Sequence, residues 1–428
     1  MSSSPTLQVL VGFQTTVAFG TPFQLNNATY GALSPVTPPQ IESGLGGYQM
    51  VDLTSMVQSV SITRGRNREM EQFNGGTAQM QIYDPTRLLD PLNTASIYYP
   101  FVAPRQPVQV LAGGVIIYTG FVTDWDLDYG YTTNANVTTV ACADAFTVLA
   151  NQSMNAVTPS AESSSARVAY VLTRPEVAYQ GPYSAGTGSS TLGAFPITEG
   201  TNVLTYLQNV ATSEQGYLFI ASNGTLTFSG RAAVLNPVSS IAFVDTGSGG
   251  IPYRTLMNQY GDELLYNYIQ TRSPVYDVAP TATSTAFDTP SISLYQAQQL
   301  TKLDLLNSTV AETAALGNYL LGRYRDPVLR FTGVTVQLAA LSAADQVTAL
   351  STDLTRIASV QKTYSVGSPA SVTQTLIVSG IKHAITPGSH VVEYTFESTD
   401  QSGYFTLDST TVPGAVSFGL LDTNLLAF

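Results

Sequence analysis

Apolar and polar residues alternate with a period of two along Val57-Gln-Ser-Val-Ser-Ile-Thr-Arg-Gly-Arg, Phe73-Asn-Gly-Gly-Thr-Ala-Gln-Met-Gln-Ile-Tyr-Asp-Pro, Pro107-Val-Gln-Val and Tyr118-Thr-Gly-Phe-Val-Thr-Asp-Trp. Each run is bounded by Gly, Pro or Asn, so residues 57–128 read as a series of half-buried strands. Ala78, Met80 and Ile82 share one face, as do Val108 and Val110, and Gly113-Gly114 closes a hairpin before Val115 and Ile117. A helical period replaces this pattern at Val203, Leu204, Leu207, Val210 and Ala211, with Thr201 as the expected cap and Gly216 as the stop. Tyr217-Leu-Phe-Ile and Thr225-Leu-Thr-Phe follow, joined around Asn223-Gly224 as a hairpin. Thr309-Val-Ala-Glu312 has capping-box spacing and predicts a helix over 309–325, stopped at Pro327. Strand alternation resumes at Arg330-Phe-Thr-Gly-Val-Thr-Val-Gln-Leu, and a short helix is predicted near Ser342-Ala-Ala-Asp345.

These elements divide the chain into an extended N-terminal arm (1–50), a first β-barrel-like domain (51–150), a flexible connection (151–200), a helix-hairpin α+β module (201–250), a mixed segment (251–327) and a second β-barrel-like domain (328–428). The fold class is mainly β with α+β insertions: two small β-barrel-like domains plus a helix-hairpin module. A faint internal repeat supports the pairing of the two. Ile116-Ile-Tyr-Thr-Gly120-Phe-Val-Thr followed by Val137-Thr-Thr-Val-Ala-Cys parallels Thr375-Leu-Ile-Val-Ser-Gly380-Ile-Lys-His followed by Val391-Val-Glu-Tyr-Thr-Phe. In both, a strand carries a small hydroxyl residue and a Gly at a bend.

Composition turns the picture toward assembly. Charged residues are 11% of the 428, against about 25% in an average globular chain, and a surface so poor in charge suits one covered by neighbours. A net charge of -12 argues against holding nucleic acid through its phosphates. It is compatible with an acidic wall past which DNA slides, and equally with acidity that only maintains solubility. The single cysteine, Cys142, lies in an alternating run and reads as a small buried hydrophobe. The N-terminal residues lack the pattern of a signal peptide, and no apolar run is long enough to span a membrane, so synthesis in the cytoplasm is expected.

Catalytic chemistry is poorly supplied. His383 and His390, the only histidines, read as surface or strand-end residues that could face each other across a hairpin. Asp124, Asp126 and Asp128 lack the glycine and the terminal acid of a calcium loop, since Tyr129 and Ala135 stand at those places. They instead share one strand face, toward solvent or a polar lumen. No nucleophile elbow, phosphate-binding lysine loop or zincin helix is present. No enzyme activity, metal or cofactor is therefore expected. The interface candidates are Arg64, Arg66 and Arg68, the densest basic patch, and the aromatic corner Tyr98-Tyr99-Pro100. The arginines either pair with acids of a neighbouring subunit or form a solvated strand end, and the tyrosines either meet a partner or pack within a turn.

Four blocks in a common order resemble the tail-tip (baseplate) hub proteins, the minor tail proteins of long-tailed phages infecting mycobacteria and related actinobacteria. They are Arg64-Gly-Arg and Phe73-Asn-Gly-Gly-Thr-Ala with Asp90-Pro and Tyr118-Thr-Gly; the helix before Gly216 with Asn223-Gly-Thr-Leu-Thr-Phe-Ser-Gly-Arg231; Asp262 to Asn267 with Tyr319-Leu-Leu-Gly-Arg-Tyr; and Val378-Ser-Gly-Ile-Lys-His383 with Phe405-Thr-Leu-Asp. The segment Ser291-Ile-Ser-Leu-Tyr295-Gln-Ala-Gln departs from the pattern, which has a glycine and an arginine after the tyrosine. The resemblance implies a structural protein at the virion tail tip. It implies a homotrimer joining a sixfold tail tube or distal tail ring above to threefold tip or fibre proteins below, in contact with the tape-measure protein and lining the DNA exit channel. DNA would pass transiently, without specific binding. The alternatives are a hexameric distal tail ring protein and a carbohydrate- or receptor-binding tip protein using Tyr98, Tyr99 or Trp125.

Overall fold

The computed structural model describes residues 3–14, 48–130, 136–231, 239–273 and 283–399. Among these residues, fourteen strands make one sheet: β1 (Leu7–Gln14), β2 (Tyr48–Asp52), β3 (Val57–Gly65), β4 (Asn74–Tyr83), β5 (Pro107–Ala112), β6 (Val115–Asp128), β7 (Val137–Ala143), β8 (Ser239–Val244), β9 (Ile251–Pro252), β10 (Thr255–Gln259), β11 (Arg330–Gln337), β12 (Ile357–Thr363), β13 (Ser371–Thr386) and β14 (Ser389–Ser398). The alternation in sequence is the alternation in burial. On β4, Gly76, Ala78, Met80 and Ile82 are buried and the residues between them exposed, and Val140 and Cys142 of β7 join them in the core. Such regular alternation specifies register, because a slip of one residue would turn the whole apolar set to water.

The strands fall into two units with one topology. The first has the order β3-β4-β7-β6-β5 and the second β10-β11-β14-β13-β12, with every neighbour antiparallel. In each, the long strand changes neighbours midway: β6 leaves β5 for β7 at Phe121, and β13 leaves β12 for β14 around Ile377. A bulge follows at Thr123 and at Ser379. The bulged hydroxyls donate to the facing strand, Thr123 to the Ala141 carbonyl at 3.0 Å and Ser379 to the Thr395 carbonyl at 3.2 Å. Val122 exchanges hydrogen bonds with Arg105 N (2.7 Å) and Gln106 O (2.8 Å), as Val378 does with Thr355 N and Arg356 O (both 2.8 Å). Arg105 and Thr355 also share a left-handed backbone, φ 70° and 65°. The repeat is therefore structural, but its alignment differs from the one expected: Phe121-Val-Thr-Asp matches Ile377-Val-Ser-Gly, and Gly380 is the counterpart of Asp124, not of Gly120. Short strands of similar composition align poorly by eye, whereas a bulge fixes them.

The pairings do not close on themselves among the described residues. They form an open, branched path, and the two units meet edge to edge through β3 and β13 instead of standing as two closed barrels. The edge of β3 that would close the first unit is taken by the second. The N-terminal arm contributes β1, which lies between β5 and β2; residues 15–47 lie outside the described residues, as does the Phe405-Thr-Leu-Asp block.

Two insertions pack against the sheet. Residues 144–231 hold the helices Phe146–Ala150, Ser164–Leu172 and Val203–Glu214 and the hairpin Tyr217–Ile220 with Leu226–Ser229. The segment expected as a flexible connection thus contains a helix, capped by Ser163 and burying Val168, Val171 and Leu172. Its Ser, Gly and Pro content hid the apolar spacing. Asn202, not Thr201, caps the next helix by accepting from Thr205 N at 3.0 Å, and Gln215, not Gly216, takes the left-handed turn at its end. Gly216 is required for another reason: a Cβ there would lie 2.4 Å from the Ser229 carbonyl. The second insertion, residues 260–329 between β10 and β11, carries its own core of Ile269, Leu305, Leu316, Leu320 and Tyr324. Its helix Val310–Tyr324 starts as predicted, with Thr309 accepting from Glu312 N. Among the described residues no helix is long and apolar enough to cross a membrane.

Candidate functional site: the seam between the two units

β3 and β13 run antiparallel over six residue pairs, from Gly65 opposite Gly380 to Val60 opposite Ile385. The backbones are close where the seam begins. A Cβ on Gly65 would come 2.2 Å from the Ser379 carbonyl, and one on Gly380 2.7 Å from the Arg66 carbonyl, so both positions need glycine. Gly65 also has φ 95°.

Arg64 alternates inward with Val60 and Ile62 and is 5% exposed. Its guanidinium donates to the Ile220 carbonyl (3.0 Å), the Ile117 carbonyl (3.4 Å) and Asp353 Oδ1 (2.7 Å). It thereby ties the seam to β6, to the α+β hairpin and to the loop before β12. Burial raises the Asp353 carboxyl, but Arg64 and the Ser222 and Leu354 amides outweigh it and hold the group below the usual range. Arg66 pairs with Glu397, donates to the Glu71 carbonyl at 2.7 Å and lies over the rings of Phe73 (4.8 Å) and Tyr217 (5.1 Å). Tyr217 donates to the same Glu397. Glu69 in turn accepts from Arg323 Nε (2.9 Å) and the Tyr324 hydroxyl (2.8 Å). Burial first, and the neighbouring Glu397, push the Tyr217 hydroxyl well above its ordinary range. The segment after β3, the hairpin, β14 and the helix Val310–Tyr324 are thus bolted together by charges with in-chain partners.

Of the interface candidates, Arg64 and Arg66 are therefore neither solvated nor awaiting a neighbour's acid. Arg68 is exposed (69%), 3.1 Å from Glu263. Tyr98 stacks on Phe13 with centroids 4.4 Å apart, while Tyr99 is 43% exposed. Trp125 donates to the Ala103 carbonyl at 2.9 Å. Reading arginine as a surface residue missed the alternation that places Arg64 inside; Glu69, Tyr217, Asp353 and Glu397 gave no local signal at all. The histidines are corrected too. His383 and His390 are buried, 4% and 1% exposed, with Nδ1 and Nε2 3.0 Å apart across the β13–β14 hairpin. Burial, then the facing ring of His390, lowers His383 well below its ordinary value, and burial takes His390 to about 4. They lie inward because His383 shares a face with Ile381 and Ile385. Asp124, Asp126 and Asp128 are exposed along one face of β6.

Neither a family model nor a curated protein matches the chain. Solved structures do. The tail protein from Neisseria meningitidis MC58 superposes with a TM-score of 0.54 at 11% identity, over 82% of this chain and 94% of that one. The 43 kDa tail protein of prophage MuSo2 from Shewanella oneidensis gives 0.51 at 12% identity, over 83% and 95%. The chain has a phage tail protein fold. In this chain, the seam is the place where two like β-units become one body.

Proposed function

We propose that this chain is a structural protein of a phage tail tip, a hub subunit that assembles as a trimer and catalyses no reaction. The observation that carries the reading is the duplicated unit: each chain offers two similar β-units fused edge to edge, so three chains present six similar surfaces on one side of a threefold body. Such a body adapts a sixfold tail tube or distal tail ring to a threefold tip or fibre. The acidic face of β6, with Asp124, Asp126 and Asp128 exposed, suits the wall of a channel through which DNA slides without being held. Arg68 and Tyr99, the interface candidates left facing solvent, are available to neighbouring tail proteins. A carbohydrate-binding platform is less well served, since Tyr98 and Trp125 are already engaged by Phe13 and Ala103.

The test is a cryo-electron map of intact particles. Three copies around the channel at the tail tip are expected; six copies in a ring would make the chain a distal tail protein, and its absence from the tail would overturn the reading.

A further inference from the structure

The second insertion turns one face of a small sheet to solvent. Its strand Tyr268–Thr271 pairs antiparallel with Ser284–Phe287 on one side and parallel with Gln299–Lys302 on the other. Alternation sends Ile269 into the insertion's core, while Thr271 donates to the Thr313 carbonyl at 2.8 Å and a Cβ on Gly317 would lie 3.8 Å from that of Ala286. The helix Val310–Tyr324 therefore covers the inner face. On the outer face the register sets Phe287, Tyr268 and Gln299 in one row and Thr285, Gln270 and Thr301 in the next, about 7 Å further along the strands. Tyr268 and Gln270, on the central strand, are half-buried; the four residues flanking them are exposed, Phe287 to 57%.

We propose that this face binds a neutral glycan. None of its six side chains is charged, in a chain of net charge -12. The nearest acid in sequence, Asp288, is already engaged by Arg325 at 3.1 Å and by Ser291 N at 2.9 Å. The first row supplies apolar surface in the rings of Tyr268 and Phe287, within 24° of parallel with centroids 6.3 Å apart. The second supplies an amide and two hydroxyls, groups that both donate and accept. Gln299 donates to Gln270 Oε1 at 3.0 Å and to Thr301 Oγ1 at 3.3 Å, which fixes the two amides relative to each other. A sugar ring has the matching halves: a C–H face to lie on aromatic carbon, and hydroxyls that donate and accept. Such a ligand buries no unpaired charge on either side. A polyanion would be repelled by the acidic chain, and an extended peptide, whose backbone is read at strand edges, would find only side chains here. The face is separate from the corner of Tyr98 and Trp125, which Phe13 and Ala103 already occupy. It goes beyond the hub reading and does not depend on it.

The experiment runs the full chain through native gels cast with dextran, galactan, mannan, xylan or β-glucan, and with polygalacturonate as the anionic counterpart. Retardation by at least one neutral polymer is expected, and none by polygalacturonate. Phe287→Ala should weaken the binding by about tenfold, as loss of an aromatic anchor does, and Gln270→Ala by about fivefold through its hydrogen bonds. Both residues lie on the outer face, so neither change should alter thermal denaturation. Ile97→Ala removes an equally large exposed side chain elsewhere, 77% exposed, and should bind as the wild type does. Migration unchanged by all five neutral polymers overturns the proposal, as does retardation that Phe287→Ala and Gln270→Ala leave intact or that polygalacturonate alone produces. A tail map with this face covered by another tail protein overturns it while leaving the hub reading standing. Glycan binding that Phe287→Ala abolishes, by a chain absent from the tail, supports it and sinks the hub reading.

Discussion

A buried charge is worth what its partners make it worth. Arg64 sits among apolar side chains, and its removal leaves the Asp353 carboxylate, 21% exposed, with the Ser222 and Leu354 amides but no positive charge, and takes a donor from the Ile220 carbonyl. Arg64→Met should cost about 2–4 kcal/mol, the usual loss on breaking a buried pair discounted for that exposure. Asp353→Asn added to it should recover part of the loss. Urea denaturation measures both, and a single-variant effect below about 1 kcal/mol would mean the pair is incidental. The histidines make the interior sensitive to acid. The folded-state value of His390 is depressed from 6.5 to about 4, so its contribution is full above pH 6.5 and drains away as pH falls toward 4. That amounts to about 3 kcal/mol by pH 4, with His383 acting in the same direction. His390→Gln should flatten this part of the stability profile; parallel profiles for the two proteins would count against the account. These residues were half legible: the period of two places Arg64 beside Val60 and Ile62, and His383 beside Ile381 and Ile385, but residue type argued for the surface and the period was the better guide.

Among elements, the glycines separate two demands that sequence alone confounds. Gly65 and Gly114 both have positive φ, 95° and 79°, yet a Cβ on Gly114 meets nothing within 4 Å while one on Gly65 meets the Ser379 carbonyl at 2.2 Å. Gly114→Ala should therefore cost about 1 kcal/mol, the conformational term alone. Gly65→Ala should cost at least about 3 kcal/mol, because the seam must part as well. Equal losses in thermal denaturation would show that the close approach contributes nothing. Strands, hairpin turns and the helix Val310–Tyr324 were readable because their signals are local: alternation, Gly113-Gly114, and Thr309 with Glu312. The helix at Ser164–Leu172 was not, since turn-rich flanks masked it. Capping went to Asn202 because its side chain reaches Thr205 N, a choice between neighbouring polar residues that only geometry makes.

For the molecule as a whole, the seam decides whether two units behave as one. With β3 and β13 paired and the Arg66–Glu397 and Glu69–Arg323 bridges beneath, wild-type denaturation should show a single cooperative transition. Gly380→Val should split it in two, followed by tryptophan fluorescence for the first unit, which holds Trp125, and by circular dichroism for the whole. One transition in that variant would place the coupling elsewhere. Duplication was faintly visible in the sequence, but the seam was not, because a contact between residues some three hundred positions apart leaves no periodic trace. The two units also differ in one respect that a trimer would magnify. The connection between the first two strands of unit one is a short loop, residues 66–73, whereas in unit two it is the whole module of residues 260–329 with its separate core. In the proposed trimer that module would recur at every second unit, three times in a turn of six. A circle of near-equivalent β-units would then carry spokes at 120° intervals, and the loss of sixfold symmetry would be encoded by the length of a single loop.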